Sequence, residues 1–249
     1  MGPLLQDDNP GFCGDEQESG MRVIGLLGGM SWESTAEYYR IINQEVRRRI
    51  GGQHSARIVM YSVDFDDVAQ LQHAGDWDGC TDLLADGARR LKAGGADFAL
   101  LCTNTMHKVL PQAESDVDLP FVHIADATAD AIRAAGQTRV ALLGTRFTME
   151  HDFYHARLAD SGIETLIPGD ADRETVHRVI YDELVRGVIS GESRQEYVRI
   201  IRALTDRGAE GVVLGCTEIP LLVGPADCPV PLFDTTRIHA EAAVDRALA

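Results

Sequence analysis

One pattern occurs twice in this chain, and the repetition constrains the fold more than any other feature. RVIGLLG from Arg22 is echoed by RVALLG from Arg139, 117 residues later. GADFALLCTN, ending in Asn104, is echoed by GAEGVVLGCTE, ending in Glu218, and the two cysteines stand 114 apart. LPFVHIADATADAI from Leu119 is echoed by VPLFDTTRIHAEAA from Val230, with prolines 111 apart. Three matches in one order at a nearly constant offset imply an internal duplication.

Within a copy, short apolar runs alternate with amphipathic stretches. Residues 21–27 read as a strand that runs through Gly28-Gly29 into a helix capped near Ser31 and stopped by Gly51-Gly52. Residues 56–63 read as a second strand, 76–93 as an amphipathic helix, and 96–101 as a third strand ending on Cys102. Residues 121–124 read as a short fourth strand before the helix ADATADAIRAA. This alternation predicts an α/β fold with mainly parallel sheets flanked by helices. Two pseudo-symmetric lobes are expected, the first over 21–121 and completed by 234–249, the second over 122–233. Ligands of open α/β sheets bind beyond the carboxyl ends of the strands, so the active site is expected in the cleft between the lobes.

The formal net charge of −16 disfavours nucleic acid and anionic membrane as partners. Residues 1–20 carry five acids and no Lys or Arg, and read as a disordered acidic extension or tag remnant. The five cysteines include no CxxC pair, so disulfides are not expected and a reducing, cytoplasmic setting is. No Cys or His spacing suits a metal, and HDFYH at His151 and His155 lacks the metalloprotease glutamate.

Cys102 and Cys216 each close a strand, and the duplication would set them on opposite sides of one ligand. A lone strand-end cysteine is usually a small packing residue; two equivalent ones in a duplicated frame call for chemistry. Thr103-Asn104-Thr105 and Thr217-Glu218-Ile219 read as helix starts, whose free N–H groups would lower a thiol pKa and hold a carboxylate. An opposed acid and base can take the α-proton of an amino acid from one face and return one to the other. Pyridoxal chemistry would need a Schiff-base lysine. The only lysines are Lys92, at a helix end, and Lys108, after the CTNTMH loop, so no cofactor is expected. GLLGGMS lacks both phosphate-loop spacings.

GLLGGMSWEST, LCTNTMHKV and LGCTEIPLL resemble the aspartate/glutamate racemase superfamily, over nearly the whole chain from Met21. Glu218, where glutamate racemases have His, resembles the aspartate-racemase branch. SWEST, HIADAT and the IHAE run are most similar to bacterial broad-specificity amino-acid racemases. The resemblance implies a cofactor-independent isomerase, usually a homodimer, with Cys102 and Cys216 as the two bases. It also implies that Met30, Ser31, Gln72, Thr103, Asn104, Thr105, Thr217 and Glu218 surround a small amino-acid substrate. Aspartate-specific relatives carry an Arg shortly after the second strand, where this chain reads DFDDVAQLQ. Neutral amino acids are therefore the expected substrates, with Arg173 as the one substitute cation and Asp64, Asp66 and Asp67 as repelling charges. His107 is expected either to tune Cys102 or to support its loop. The competing readings are an aspartate-specific racemase, a related cysteine-site enzyme (hydantoin racemase, maleate isomerase or decarboxylase type), and a small-anion binding protein.

Overall fold

The computed structural model of the chain describes residues 20–249. Cys13 and the acidic segment read as an extension lie outside the described residues, apart from Gly20. The first lobe runs β1 (Ile24–Gly28), α1 (Trp32–Ile50), β2 (Ile58–Ser62), α2 (Phe65–Ala74), α3 (Trp77–Ala93), β3 (Phe98–Leu101), a 3-10 turn (Thr105–Lys108), α4 (Leu110–Ser115), β4 (Phe121–Val122) and α5 (Ile124–Ala134). The second runs β5 (Arg139–Gly144), α6 (Arg146–Glu150), α7 (Asp152–Asp160), β6 (Glu164–Leu166), α8 (Asp170–Asp182), a 3-10 turn (Leu184–Arg186), α9 (Gly191–Asp206), β7 (Gly211–Gly215), α10 (Ile219–Leu222), a third 3-10 turn (Pro225–Asp227), β8 (Leu232–Asp234) and α11 (Thr235–Leu248).

The duplication reappears as topology. One sheet has the order β2-β1-β3-β4 and the other β6-β5-β7-β8, and every pairing is parallel. Equivalent strands share their register: Ile24 faces Phe98, as Val140 faces Gly211. The strand ends differ slightly from the sequence reading. Ile124, read as the last residue of a strand, begins α5, because the His123 side chain accepts the Ala125 N–H and caps a helix there. The DFDDVAQLQ stretch forms α2, a helix the sequence reading did not include, capped by Asp64 accepting from Asp66 N.

Each lobe lends its last helix to the other. α5 follows β4 of the first sheet, yet its Ile124, Ala125, Ala129 and Ile132 pack with Val140, Leu142, Val213 and Phe233 of the second lobe. α11 follows β8 of the second sheet, yet Ala240, Ala243, Val244 and Ala247 pack with Ile24, Leu26, Tyr38 and Leu100 of the first. The helical spacing of those residues makes one narrow apolar face. Truncating a fully buried side chain such as Ile132 to Ala would cost about 2–5 kcal/mol, so the exchange holds the lobes together rather than decorating them.

Candidate active site

The first loop is shaped by glycine. Gly29 has φ of 94°, and a Cβ there would stand 2.1 Å from the Val63 carbonyl oxygen. Only glycine lets the chain turn so close to β2. Gly29 N–H donates to Thr35 Oγ1 at 2.8 Å, and Ser31 caps α1 by accepting from Ser34 N at 3.3 Å. Met30 and Ser31 are thereby set at the carboxyl end of β1.

Nine of the ten residues expected at the site line one small cavity: Met30, Ser31, Gln72, Thr103, Asn104, Thr105, Cys216, Thr217 and Glu218. The sequence reading missed the rest of its wall, formed by Phe65, Thr145, Ile180, Tyr181, Val185 and Gly215. Phe65 was hidden in the unread α2, and no local signal marks the others.

Cys102 is the tenth. It is fully buried, is not part of the cavity lining, and packs in the core with Tyr38, Leu100 and Ala240. Strand alternation is the reason. Val212, Leu214 and Cys216 pack in one core cluster of the second lobe. In the first lobe the corresponding face of β3 carries Ala99 and Leu101, and the next residue of that alternation is Thr103. Phe98, Leu100 and Cys102 take the opposite face. The backbone agrees: Ala99 N–H donates to Pro120 O as Val212 N–H donates to Pro231 O, both at 2.9 Å. Counted from Gly95-Ala96-Asp97 and Gly208-Ala209-Glu210, Thr103 falls on Cys216 and Cys102 on Gly215. That count is the sequence signal that matching cysteine to cysteine passes over.

Glu218 organises the polar side of the cavity and links the lobes. Its Oε1 accepts from Ser31 Oγ at 2.8 Å and Ser34 Oγ at 3.0 Å, both at the start of α1. Its Oε2 accepts from Cys216 Sγ at 3.0 Å and Thr217 Oγ1 at 2.8 Å. Ser34 Oγ also meets Thr217 Oγ1 at 2.5 Å. Two further bonds cross between the lobes. Thr105 Oγ1 meets Thr145 Oγ1 at 3.1 Å, and Asn104 Nδ2 donates to Thr235 Oγ1 at 3.1 Å. Thr235 in turn donates to Leu214 O, two residues before Cys216. Asn104 Oδ1 is buried and has no hydrogen-bond partner among the described residues. It is a buried acceptor without a donor, at a residue of the cavity wall.

The thiols are not lowered as the sequence reading expected. Burial pushes Cys216 well above its ordinary value, and the Glu218 carboxylate beside it pushes the same way. The Thr217 and Glu218 N–H groups do favour the thiolate, but burial outweighs them. Cys102 is raised by burial alone. The helix after Cys216 has only four residues, and Cys102 is followed by a 3-10 turn, so neither has a long helix dipole behind it. Tyr181 is pushed up to about 12 by burial and by Cys216 and Glu218 nearby.

Of the charges weighed for and against a dicarboxylate, none lines the cavity. Arg173 is bound to Glu150 at 3.0 Å, to Asp170 at 2.7 Å and to Pro168 O at 2.9 Å. Asp64 caps α2, Asp66 accepts from Gln70, and neither they nor Asp67 line the wall. Among the described residues, Glu218 is the one charged residue that does. His107 supports the loop: its Nδ1 meets Thr103 O at 2.8 Å. His155 is likewise structural, held between Thr165 Oγ1 and Met149 O.

Two α/β lobes of one topology, closed on a small cavity with a thiol, a carboxylate and hydroxyls, define an enzyme-like site for a small polar molecule. The profile of the Asp/Glu/hydantoin racemase family matches residues 27–243, and the chain belongs to that family. A Yersinia pestis crystal structure provisionally named an Asp/Glu racemase is 53% identical, with a TM-score of 0.87, over 92% of this chain and 100% of that one. An aspartate racemase homologue from Pyrococcus horikoshii is 33% identical, with a TM-score of 0.81, over 92% of this chain and 100% of that one. The broad specificity amino-acid racemase RacX of Bacillus subtilis is 22% identical over 237 residues, 91% of this chain and 99% of that protein.

Proposed function

We propose that the protein racemises free amino acids without a cofactor, with Cys216 as the acid–base group on one face of Cα and the β3 end of the first lobe supplying the group on the other. The observation that carries this is the cavity itself. It brings Cys216 from β7 and Thr103 from the equivalent position after β3 to the wall of one enclosed polar space. Among these residues, the Glu218 carboxylate and the unpartnered Asn104 Oδ1 are suited to the substrate ammonium. Backbone N–H groups beside Thr103 and Thr217 are suited to its carboxylate.

In the forward step Cys216 passes its thiol proton to Glu218 Oε2, 3.0 Å away, the thiolate takes the α-proton, and the carbanion formed takes a proton on its opposite face. With Cys102 buried away from the lining, the Thr103 hydroxyl is the first-lobe group that reaches the substrate. A hydroxyl is a far weaker acid than a thiol, so this reading implies unequal rates from the two enantiomers. Cys102 acts as the second base only if the 103–105 loop turns over to bring it into the cavity. Charge matters for the side chain: among the described residues no Lys, Arg or His lines the cavity, so neutral amino acids fit it better than aspartate or glutamate.

The test is chiral chromatography over a panel of L- and D-amino acids, with no added cofactor, for wild type, Cys216→Ala, Thr103→Val and Cys102→Ala. Loss of racemisation in Cys216→Ala and Thr103→Val, with activity kept in Cys102→Ala, supports the Cys216–Thr103 pair. Loss in Cys102→Ala with Thr103→Val active returns the second role to Cys102. No racemisation of any amino acid by wild type removes the racemase reading and favours a binding protein.

A further inference from the structure

Behind the cavity loop lie three buried imidazoles that the proposed chemistry does not use. His107 belongs to the turn after β3, His123 precedes α5, and His239 lies on α11. The His107 ring is 4.5 Å from that of His123 and 5.8 Å from that of His239, centroid to centroid. The cluster therefore sits where the two exchanged helices meet the first lobe.

The hydrogen bonds assign each tautomer. Ile124 N–H donates to His107 Nε2 at 3.3 Å, so that nitrogen carries the lone pair and Nδ1–H donates to Thr103 O at 2.8 Å. His239 Nε2–H donates to Val122 O at 2.7 Å, and its Nδ1 accepts from Tyr38 Oη at 2.8 Å. His123 Nδ1 accepts from Ala125 N–H. All three rings are thus neutral. Burial, reinforced by the neighbouring imidazoles, holds His107 well below its ordinary range.

We propose that His107 is a positioning residue for this site, setting Thr103, Asn104 and Thr105 in the cavity by tying the Thr103 carbonyl to the first residue of α5. The proposal rests on the racemase reading of the cavity. The loop has three tethers. Two of them, Asn104 to Thr235 at the start of α11 and Thr105 to Thr145 after β5, run through side chains. The third is a backbone carbonyl held by one imidazole, whose other nitrogen is fixed by a backbone N–H. His107 is 1% exposed, and no water can replace either bond. Without this tether the Thr103 carbonyl loses its partner, and the loop tip is held across the cleft only by two side-chain contacts whose rotors can turn. The Thr103 hydroxyl then loses its fixed position relative to Cys216, and displacement of a reacting group by about 1 Å costs about 10²-fold in rate.

The experiment compares full-length His107→Asn, His107→Gln and His107→Leu with wild type. An asparagine amide can place an N–H where Nδ1–H stood. Glutamine is one methylene longer and reaches toward the Nε2 position, while leucine fills space and donates nothing. The readouts are kcat and KM on an amino acid that wild type racemises, and amide hydrogen exchange across residues 103–108. The expected result is that Asn keeps kcat within about fivefold, while Leu and Gln lower it about 100-fold with little change in KM. Exchange of the loop should rise in Leu and Gln and stay near wild type in Asn. Equal kcat and equal loop exchange in all three variants would overturn the proposal. If Leu fails to fold, the Asn–Gln comparison decides in the same way. If wild type itself racemises nothing, the exchange pattern still reports on the tether, so failure of the racemase reading and failure of this proposal are distinct results.

Discussion

Cys216 Sγ lies 3.0 Å from Glu218 Oε2 and donates its thiol proton to that carboxylate. The same carboxylate accepts from Ser31 and Ser34 of the other lobe. One side chain therefore keeps the reactive sulfur protonated and closes the cavity, and a ligand ammonium that recruits Glu218 would weaken both effects at once.

Replacing Glu218 by Gln removes the charge that raises the Cys216 thiol while nearly keeping the shape. Alkylation of Cys216 by iodoacetamide near pH 7.5 should speed up about tenfold, because only the thiolate reacts. KM should rise as the ammonium loses its counter-charge. Mass spectrometry of the Cys216 peptide checks the first outcome, and an unchanged alkylation rate would show that Glu218 does not hold the proton.

Homoserine or methionine should exceed aspartate in kcat/KM by about tenfold or more. A second carboxylate enters a cavity whose one charged wall residue is Glu218, and an unpaired partly buried charge costs several kcal/mol at most. Steady-state rates on matched substrates decide this. If aspartate wins by tenfold, a cation must reach the site from outside the lining, and freeing Arg173 by Glu150→Gln becomes the next variant.

Cys102→Ala should lower unfolding stability by about 1–2 kcal/mol, since it leaves a small void in a cluster with Tyr38 and Leu100. Cys216→Ala, at the cavity wall, should cost less. Urea unfolding of both variants measures the difference. A neutral Cys102→Ala would mean that the sulfur is not packed as described.

Stability should fall as the pH drops below about 6.5. Burial holds His239 at about 4 and His123 at about 3, while an unfolded imidazole titrates near 6.5. Lowered folded values mean that the unfolded state binds protons first, so the stability present above pH 6.5 is lost on acidification through the folded values. At about 1.4 kcal/mol per pH unit, His239 alone removes about 3 kcal/mol by pH 4. Glu45, held at about 2 by Arg48 and Arg49, adds to the loss as the pH falls below about 4.5, and Asp234, raised by burial above its ordinary 3.8, opposes it on acidification toward that value. The interval from pH 6.5 to 5 therefore belongs to the histidines. Melting temperatures that stay level across it would exclude the cluster as described.

Much of this was legible before any coordinates. The repeated strand–loop–helix units set the parallel sheets and the two lobes, because apolar periodicity and glycine turns act over short stretches of chain. The motif residues 30–31, 103–105 and 216–218 converge on the cavity, since each follows directly from the end of a strand. By itself, then, the sequence determined the two-lobed α/β class and which loops meet. The tertiary structure alone decided that Thr103 faces the cavity while Cys102 turns into the core, and that Arg173 is consumed by Glu150 and Asp170. The physical reason is one of range. A one-residue step reverses which side of a strand a side chain takes, and the contacts that settle that choice join residues such as Ser31 and Glu218, which stand 187 positions apart.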